Sequence, residues 1–414
     1  MLEQDGRPDA EPSQRAIRPL LLATVVSVSG DGALNIAAPL LAASITSDPL
    51  AVALVTVAEY LPWILIGLPA GALVDRWPKR TLMVWIALSQ ATVVALFCGL
   101  MAIGQGALVA LVITVLLVNA GECFYSPASQ STIPAIIGKD QDALRRANGR
   151  YLAVDGVGRA LVGPLGGAWL FTVGRVLPFV ADAVSFAFAS AVLRRLPEVP
   201  PAPGPHEPVL IAVRTGFRKL YRVRTLFILA IGLAVYNVGH FAVIATFALY
   251  TRDILHVNEI AYGALFAVLA TAVIITGWVG TGLIRGLPDT YVSAGSLGLA
   301  GAAWLVASIN PNYWITAVAF AAVGVTAVLG STTINSAAQR LAPAGSLGRI
   351  TSFVWLFAFA GSGIGALLGG WVADGWGLAA PLVVAGVIQV TAGLAVWLVC
   401  RDRQTPRPRC LSGG

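Results

Sequence analysis

Apolar runs of about 20 residues recur along the whole chain, and each is long enough to cross a bilayer as a helix. Only 11% of the residues are charged, against about 25% in an average soluble chain. The pattern predicts an all-α membrane protein. We place twelve transmembrane helices at residues 19–43, 50–74, 81–103, 107–128, 148–171, 176–193, 226–250, 260–284, 291–309, 313–337, 350–373 and 378–400.

The basic residues indicate how these predicted helices are oriented. Of the 27 Lys and Arg residues, all but Arg159, Arg175 and Arg252 fall on one side of the predicted membrane. Cytoplasmic loops carry an excess of Lys and Arg, so the N-terminal tail (residues 1–18) and the C-terminal tail (residues 401–414) are both predicted to be cytoplasmic. The plasma membrane is the expected location. The net charge of +7 could indicate a nucleic-acid partner. The cations lie in short loops between apolar runs, however, so we expect no nucleic-acid partner.

The chain divides near its middle into two parts that repeat each other. A proline-rich cytoplasmic linker at residues 194–225 ends in a predicted amphipathic helix on the inner leaflet. The exit of the fourth span contains Gln130 and Pro134, and the exit of the tenth contains Gln339 and Pro343 at the same spacing. We therefore predict two pseudo-symmetric six-helix bundles, residues 19–193 and 226–400, with a central cavity between them.

The short loop between the second and third spans carries an acid among bases. In GLPAGALVDRWPKR, residues 67–80, Asp75 lies beside three cations. A carboxylate so placed could exchange ion-pair partners when helices rock. Gly71 is expected to let neighbouring helix backbones come close.

This stretch resembles the loop 2–3 signature of the major facilitator superfamily, with Pro78 in place of the usual glycine. The resemblance implies the two-bundle fold of that superfamily. It also implies that Asp75 contacts the start of the eleventh helix, residues 349–352, in the outward-facing state. The conformational-switch residues carried over are Gly71, Asp75, Arg76, Lys79 and Arg80.

Ionisable side chains within the predicted spans are the candidates for proton coupling. An ionised side chain at the bilayer centre costs at least ~2.5–3.5 kcal/mol, so intramembrane acids are expected to be functional. Asp31 and Glu59 lie near the middle of their spans and are the favoured candidates. Glu122, and the pair Asp155 and Arg159 four residues apart on one helical face, are either coupling residues or a structural salt bridge.

Other polar residues in the spans are interpreted differently. Asp182, nearer the outer face, is expected to be structural, and His240 is expected to be packed and hydrogen-bonded. Asn35, Tyr236 and His240 are candidates for the substrate cavity. The four cysteines, Cys98, Cys123, Cys400 and Cys410, lack metal or disulfide spacing and are expected to be apolar fillers and a tail residue.

The fifth span is rich in small residues. Gly158, Gly163, Pro164, Gly166 and Gly167 resemble the antiporter signature of drug-exporting members, with one residue fewer between Pro164 and Gly166. Close helix packing explains the glycines equally well, because the eleventh span is also glycine-rich. A wider ordered set of short segments resembles the branch of the enterobactin exporter, macrolide efflux proteins and Tap-type pumps: residues 29–31, 124–128, 133–134, 146–148, 163–164, 181–186 and 348–349.

The sequence offers no sign of catalysis. It contains no G-x-x-x-x-G-K-[ST] phosphate loop, no metal-ligand spacing and no nucleophile–base set outside the spans. We therefore expect a transporter rather than an enzyme, with no cofactor and no metal, driven by an ion gradient. Its expected partners are a small-molecule substrate, protons and the lipid bilayer, and we expect a monomer.

Sequence and resemblance together predict a secondary active exporter of small amphipathic molecules (a drug, antibiotic or siderophore-like compound). Transport would occur by proton antiport through alternating access. Two alternatives stay open at this point: a proton-coupled uptake symporter and a lysophospholipid translocator.

Overall fold

A computed structural model describes residues 16–104, 107–138, 140–201, 217–284, 286–342 and 347–401, and these residues contain helices and turns but no strand. The helices are α1 Arg18–Ile45, α2 Pro49–Leu65, α3 Gly67–Val74, α4 Lys79–Ala102, α5 Ala107–Ile137, α6 Gln141–Val157, α7 Gly163–Val173, α8 Leu177–Leu193, α9 Arg224–Ile244, α10 Phe247–Asp253, α11 Glu259–Leu283, α12 Asp289–Ile309, α13 Tyr313–Leu341, α14 Leu347–Trp376 and α15 Ala380–Arg401. A single π-helical turn, Gly158–Val162, joins α6 to α7.

Nine helices in the described part of the chain are long and apolar enough to cross a membrane. The other three predicted spans are short or interrupted. The second is broken at Ile66, four residues after Pro62, into α2 and α3. The fifth combines α6, the π turn and α7, and the sixth is the 17-residue α8. The total of twelve spans therefore stays a prediction.

Helices pack in equivalent pairs before and after the linker. The contacts of α1 with α7 and α8 correspond to those of α9 with α14 and α15, and the pair α4–α5 corresponds to α12–α13. Two further pairs, α2–α14 and α7–α11, join the first half of the chain to the second. These two pairs are also equivalent to each other, because α2 of the first half corresponds to α11 of the second and α7 corresponds to α14. Most of the predicted amphipathic helix of the linker lies outside the described residues, although residues 217–222 are helical.

The turn between α1 and α2 is a point where the two halves are fastened together. Asp48 caps the N-terminus of α2 there. Arg252, at the end of α10, donates hydrogen bonds to the carbonyl of Ala43 and, over 3.2 Å, to Oγ of Ser47. The last carbonyls of a helix lack intrahelical donors, and a cation at a helix C-terminus is favourable. We call this side of the molecule the Asp48 end.

Small residues bring the two halves into close contact toward the same end. A Cβ added to Gly263 of α11 would lie 2.5 Å from the Cβ of Ala168 in α7. A Cβ added to Gly370 of α14 would lie 2.7 Å from the Cβ of Ala53 in α2. Larger side chains at these glycines would therefore separate the halves. The opposite side, which holds the α3–α4 loop, is called the Asp75 end.

Candidate functional site

One guanidinium group faces three carboxylates among α1, α5, α6 and the π turn. Nη2 of Arg159 lies 3.3 Å from Oε1 of Glu122, 3.6 Å from Oδ2 of Asp31 and 3.7 Å from Oδ1 of Asp155. The structure thus places four of the five proposed coupling residues in a single cluster, which we call the Arg159 cluster.

Local backbone geometry sets the position of Arg159. It is the second residue of the π turn, a wider helical turn that is found frequently at functional sites. Asp155 reaches it from the preceding turn of the same span, as the four-residue spacing suggested. Asp31 and Glu122 come from helices far away in sequence. The site therefore exists only when α1, α5 and the fifth span are packed together.

Small residues make that packing possible. A Cβ added to Gly163 would lie 2.5 Å from the Cα of Gly32, and one added to Gly167 would lie 2.6 Å from the Cα of Ala33. A Cβ on Gly158 would approach Ser29, whereas one on Gly166 would meet nothing within 4 Å. Three of the four glycines in the antiporter-like motif therefore serve the contact with α1.

The three acids of the Arg159 cluster differ in their access to water. The side chain of Asp31 is 9% exposed, that of Glu122 is 15% exposed and that of Asp155 is 35% exposed. If all were ionised, one guanidinium and three carboxylates would carry a net charge of −2. Burying uncompensated charge is costly, and like charges that share a site oppose each other's ionisation. The cluster therefore has capacity for protons.

Glu59 lies apart from these direct contacts. It interacts electrostatically with Arg159, but no ion pair joins it to a base within the described part of the chain. Its neighbour Tyr60 lines a cavity of about 220 Å³ whose other lining residues come from the second half. Glu59 is thus adjacent in sequence to a residue that lines the cavity, and it is within electrostatic range of Arg159.

The cavity is aromatic and neutral. Tyr60 stacks edge-on against Phe241, with ring centroids 4.6 Å apart, and it lies 6.2 Å from the ring of Phe359. The other lining residues are Leu233, Tyr236, Asn237, Ala327, Ser331, Ile334, Asn335, Val354, Trp355, Ala358 and Ser362. Such a lining, apolar with several amide and hydroxyl groups, is typical of small-molecule sites.

The three residues predicted for the substrate cavity differ in whether they line this cavity. Tyr236 lines it, but Asn35 and His240 do not. His240 is packed among aromatic rings as expected, at 5.0 Å from Phe241 and 6.2 Å from Trp304. Its Nδ1, however, has no hydrogen-bond partner among the described residues, so the expectation that this histidine is hydrogen-bonded is wrong for that nitrogen.

The proposed conformational-switch residues form contacts within the first half of the chain. Nζ of Lys79 lies 3.0 Å from Oδ1 of Asp75 and donates to the carbonyl of Val74. Arg80 pairs with Glu198 at 2.7 Å, while Arg76 is exposed. The implied partner of Asp75 is the start of the eleventh helix, residues 349–352, and of these the side chain of residue 349 lies outside the described residues.

Gly71 requires a correction. A Cβ added there would meet nothing within 4 Å, so this glycine does not mark a close approach of two backbones. The sequence motif was recognised from its charges and spacing, but spacing alone does not reveal which side of α3 faces a neighbour.

The two cysteines with described side chains fit their expected role: Cys98 is half-buried and Cys123 is buried, both free.

Comparison with known proteins identifies the kind of molecule. The profile of the transmembrane secretion effector family, part of the major facilitator superfamily, matches residues 10–407. The chain belongs to this family. The resemblance found in the sequence is thereby confirmed, and the chain is a membrane transporter rather than an enzyme.

Curated relatives lie in the same branch. The chain is 26% identical over 389 residues to the multidrug efflux pump Tap of Mycobacterium tuberculosis and to the same pump of Mycobacterium bovis, covering 91% of each chain.

Solved structures show the same fold at low identity. A bacterial homologue of the human lysosomal transporter Spinster, inward-facing and unoccupied, has a TM-score of 0.71 at 17% identity, covering 97% of this chain and 100% of that one. A bacterial homologue of the iron transporter ferroportin, also inward-facing, has a TM-score of 0.68 at 17% identity, covering 92% and 99%. A peptide transporter of the POT family gives 0.74 at 16% identity, covering 94% of each.

Proposed function

We propose that this transporter exports small amphipathic molecules in exchange for protons by alternating access. The observation that carries the proposal is the Arg159 cluster, in which three carboxylates share one guanidinium inside the membrane-spanning region. Such a group is close to neutral only when protons are bound to it. Asp155, the most exposed acid, is the point of exchange with water, and Asp31 and Glu122 hold the buried protons.

Glu59 links proton binding to the cargo. It lies beside Tyr60, which lines the aromatic cavity, and within the electrostatic reach of Arg159. Protonation of Asp31 or Glu59 from outside changes the charge next to the bound molecule, weakens its binding and permits return to the inward-facing state. The neutral aromatic lining fits amphipathic compounds of many shapes, as does the similarity to a multidrug efflux pump.

Alternating access is supported by the contacts between the halves. At the Asp48 end, Arg252 fastens α10 to α1, and Gly263 and Gly370 allow tight packing. The cation-rich loops lie at the Asp75 end, which the positive-inside rule makes cytoplasmic. We infer that both termini are cytoplasmic, that twelve spans form two six-helix bundles, and that this conformation is closed toward the outside.

The test begins with a susceptibility panel in a pump-deficient bacterial host. A compound to which the chain confers resistance, with ethidium as the first probe, is then followed in sealed proteoliposomes under an imposed pH gradient. We expect transport of the probe up to the limit set by the gradient, and weaker coupling in Asp31→Asn and Glu59→Gln. Unchanged coupling in both variants would remove these residues from the mechanism.

Two further assays separate the alternatives. Accumulation of the probe in energised whole cells would indicate an uptake symporter. Movement of a fluorescent lysophospholipid between leaflets, without movement of any compound from the panel, would indicate a lipid translocator. Either outcome would replace the export proposal.

A further inference from the structure

A second buried acid lies behind the Arg159 cluster, and the transport scheme above does not use it. Asp182 of α8 is fully buried. Its carboxyl packs against Gly30 of α1, where an added Cβ would collide with Oδ1 of Asp182 and Oγ of Ser185. Gly30 is followed directly by Asp31. Asp182 therefore packs against the residue of α1 that directly precedes Asp31.

The hydrogen bonds around Asp182 fit its protonated form. Oγ of Ser185 lies 2.8 Å from the backbone carbonyl of Asp182 and 3.3 Å from its Oδ1. A serine hydroxyl has one hydrogen to donate and two lone pairs with which to accept. If that hydrogen is donated to the nearer carbonyl, Oγ of Ser185 can accept a hydrogen bond from a protonated Oδ1 of Asp182.

The ionised form of Asp182 would be poorly supported. Its Oδ2 has no hydrogen-bond partner among the described residues, although a buried carboxylate needs several donors. The charges that act on it come from Asp31 on α1 and Glu122 on α5. On α4, the facing titratable group is the thiol of Cys98. The segment of α7 that packs on α8 contains no titratable residue.

No base within the described residues is paired with Asp182. The guanidinium of Arg159 is already shared by Asp31, Glu122 and Asp155. An unpaired carboxylate in such surroundings is strongly unfavourable. Its proton is retained most firmly while Asp31 is negatively charged, because neighbouring like charges oppose ionisation.

We propose that Asp182 is a second proton-binding site, linked electrostatically to Asp31 across the Gly30 face of α1. Asp182 keeps its proton while Asp31 is ionised and paired with Arg159. When Asp31 takes up a proton, the negative charge beside Asp182 disappears, and the proton on Oδ1 of Asp182 is held less firmly. The protons bound during the transport cycle are therefore located at two helix contacts, that of α1 with the π turn and that of α1 with α8. Its use in transport rests on the proposed proton antiport, whereas the protonation and the linkage do not.

Infrared difference spectroscopy of the purified full-length protein tests the protonation and the linkage without any substrate. A protonated carboxyl has a carbonyl stretching band that shifts in deuterated water. We expect this band at neutral pH to lose intensity in Asp182→Asn, which keeps the size of the side chain but cannot carry the acid proton. Asp142→Asn, at an exposed acid on α6, serves as the matched control and should leave the band unchanged.

The linkage is tested in Asp31→Asn, where the charge beside Asp182 is absent. We expect the Asp182 band to disappear at lower pH in this variant than in the unaltered protein. An unaltered spectrum in Asp182→Asn would overturn the assignment of the proton. An unchanged pH dependence in Asp31→Asn would overturn the linkage. If Asp182→Asn does not fold, Ser185→Ala decides the assignment, since loss of the acceptor must shift the frequency of the acid band, and an unshifted band contradicts the proposal.

A separate measurement addresses the transport role. In proteoliposomes that move ethidium, the number of protons exchanged per dye molecule is expected to fall in Asp182→Asn and to stay the same in Asp142→Asn. An equal ratio in the two variants would show that Asp182 does not exchange its proton during the cycle. If the unaltered protein drives no exchange at all, the export proposal fails while the spectroscopic result for Asp182 still stands.

Discussion

The two halves of this transporter share a packing device but differ in charge. In the first half, Gly158, Gly163 and Gly167 lie against α1. In the second half, Gly361, Gly365 and Gly369 of α14 lie against α9. Cβ atoms added to them would collide with the carbonyl oxygens of Ala234, Val238 and Ala242, respectively. The two rows of glycines are equivalent, yet among the described residues only the first half places an arginine and three acids beside its row.

The corresponding region of the second half is polar without being charged. The hydroxyl of Tyr236 donates to the carbonyl of Val323 over 2.9 Å and lies 3.1 Å from Oγ1 of Thr326. Nε2 of Gln389 donates to the carbonyl of Tyr236. The comparison teaches that glycine-rich packing belongs to the fold, whereas charge is the property that distinguishes the two halves. The glycines alone therefore say little about antiport.

The strongest test of this comparison is Arg159→Gln. Loss of one partner of a buried ion pair costs about 3–5 kcal/mol, and we reduce this to about 1–3 kcal/mol because Arg159 is 36% exposed. If this cost falls on the transport step, the rate of probe movement driven by the pH gradient should fall roughly tenfold to hundredfold. Gln389→Leu, in the uncharged region around Tyr236, is the control and should lower transport much less. Equal losses in both variants would contradict the asymmetry.

Glycine substitutions test the shared part of the comparison. Gly163→Val and Gly365→Val should each destabilise the protein, since overpacking typically costs about 1–3 kcal/mol. Gly166→Val, whose added Cβ meets nothing within 4 Å, should change stability little. Thermal unfolding can be followed with a thiol-reactive dye, because Cys123 is buried in the folded protein. A stable Gly365→Val variant would show that the second row of glycines is not equivalent to the first.

The acids within the Arg159 cluster should be unequal. Glu122→Gln removes a carboxylate that is 15% exposed, and Asp155→Asn removes one that is 35% exposed. Exposed ion pairs contribute about 1 kcal/mol or less, so the second change should lower proton-driven transport by no more than about fivefold. The first should have the larger effect on the dependence of transport rate on pH. The reverse order would place the coupled proton on Asp155.

The smallest effect is expected from Tyr236→Phe. It removes hydrogen bonds to Val323 and Thr326, and a typical hydrogen bond contributes about 1 kcal/mol to stability. The melting temperature should fall slightly, and the pH dependence of transport should stay as it is. A change in that pH dependence would mean that proton coupling extends into the second half.

The sequence predicts the elements of the site better than their assembly. Asp155 and Arg159 could be paired from their spacing, because residues four apart share a helical face. Hydropathy places Asp31 and Glu122 inside the membrane. Their meeting at Arg159 could not be predicted, because it depends on which helices are neighbours and on the π turn, and neither leaves a periodic signal.

Orientation around a helix axis is the other limit. Hydropathy places Glu59 in the middle of the predicted second span, but spacing could not show that it stands apart from the Arg159 cluster. Depth along α8 suggested a structural role for Asp182 without indicating that it faces Gly30. Gly71 was interpreted from a motif as a close approach that the structure does not contain. In each case the sequence specifies the height in the membrane, and only packing specifies the neighbour.

Contacts of the α3–α4 loop hold the first residues of the linker against the first half and so shorten the part of the linker that can move. The backbone N–H of Lys79 donates to the carbonyl of Val199 over 3.1 Å, and Arg80 binds both Glu198 and the carbonyl of Leu196. The six residues from Arg194 to Val199 therefore travel with the first half, which removes about 20 Å of extended reach from the linker. The distance over which the second half can move relative to the first is set by the chain after Val199. Loss of the contacts of Lys79 and Arg80 with residues 196–199 would lengthen this flexible connection.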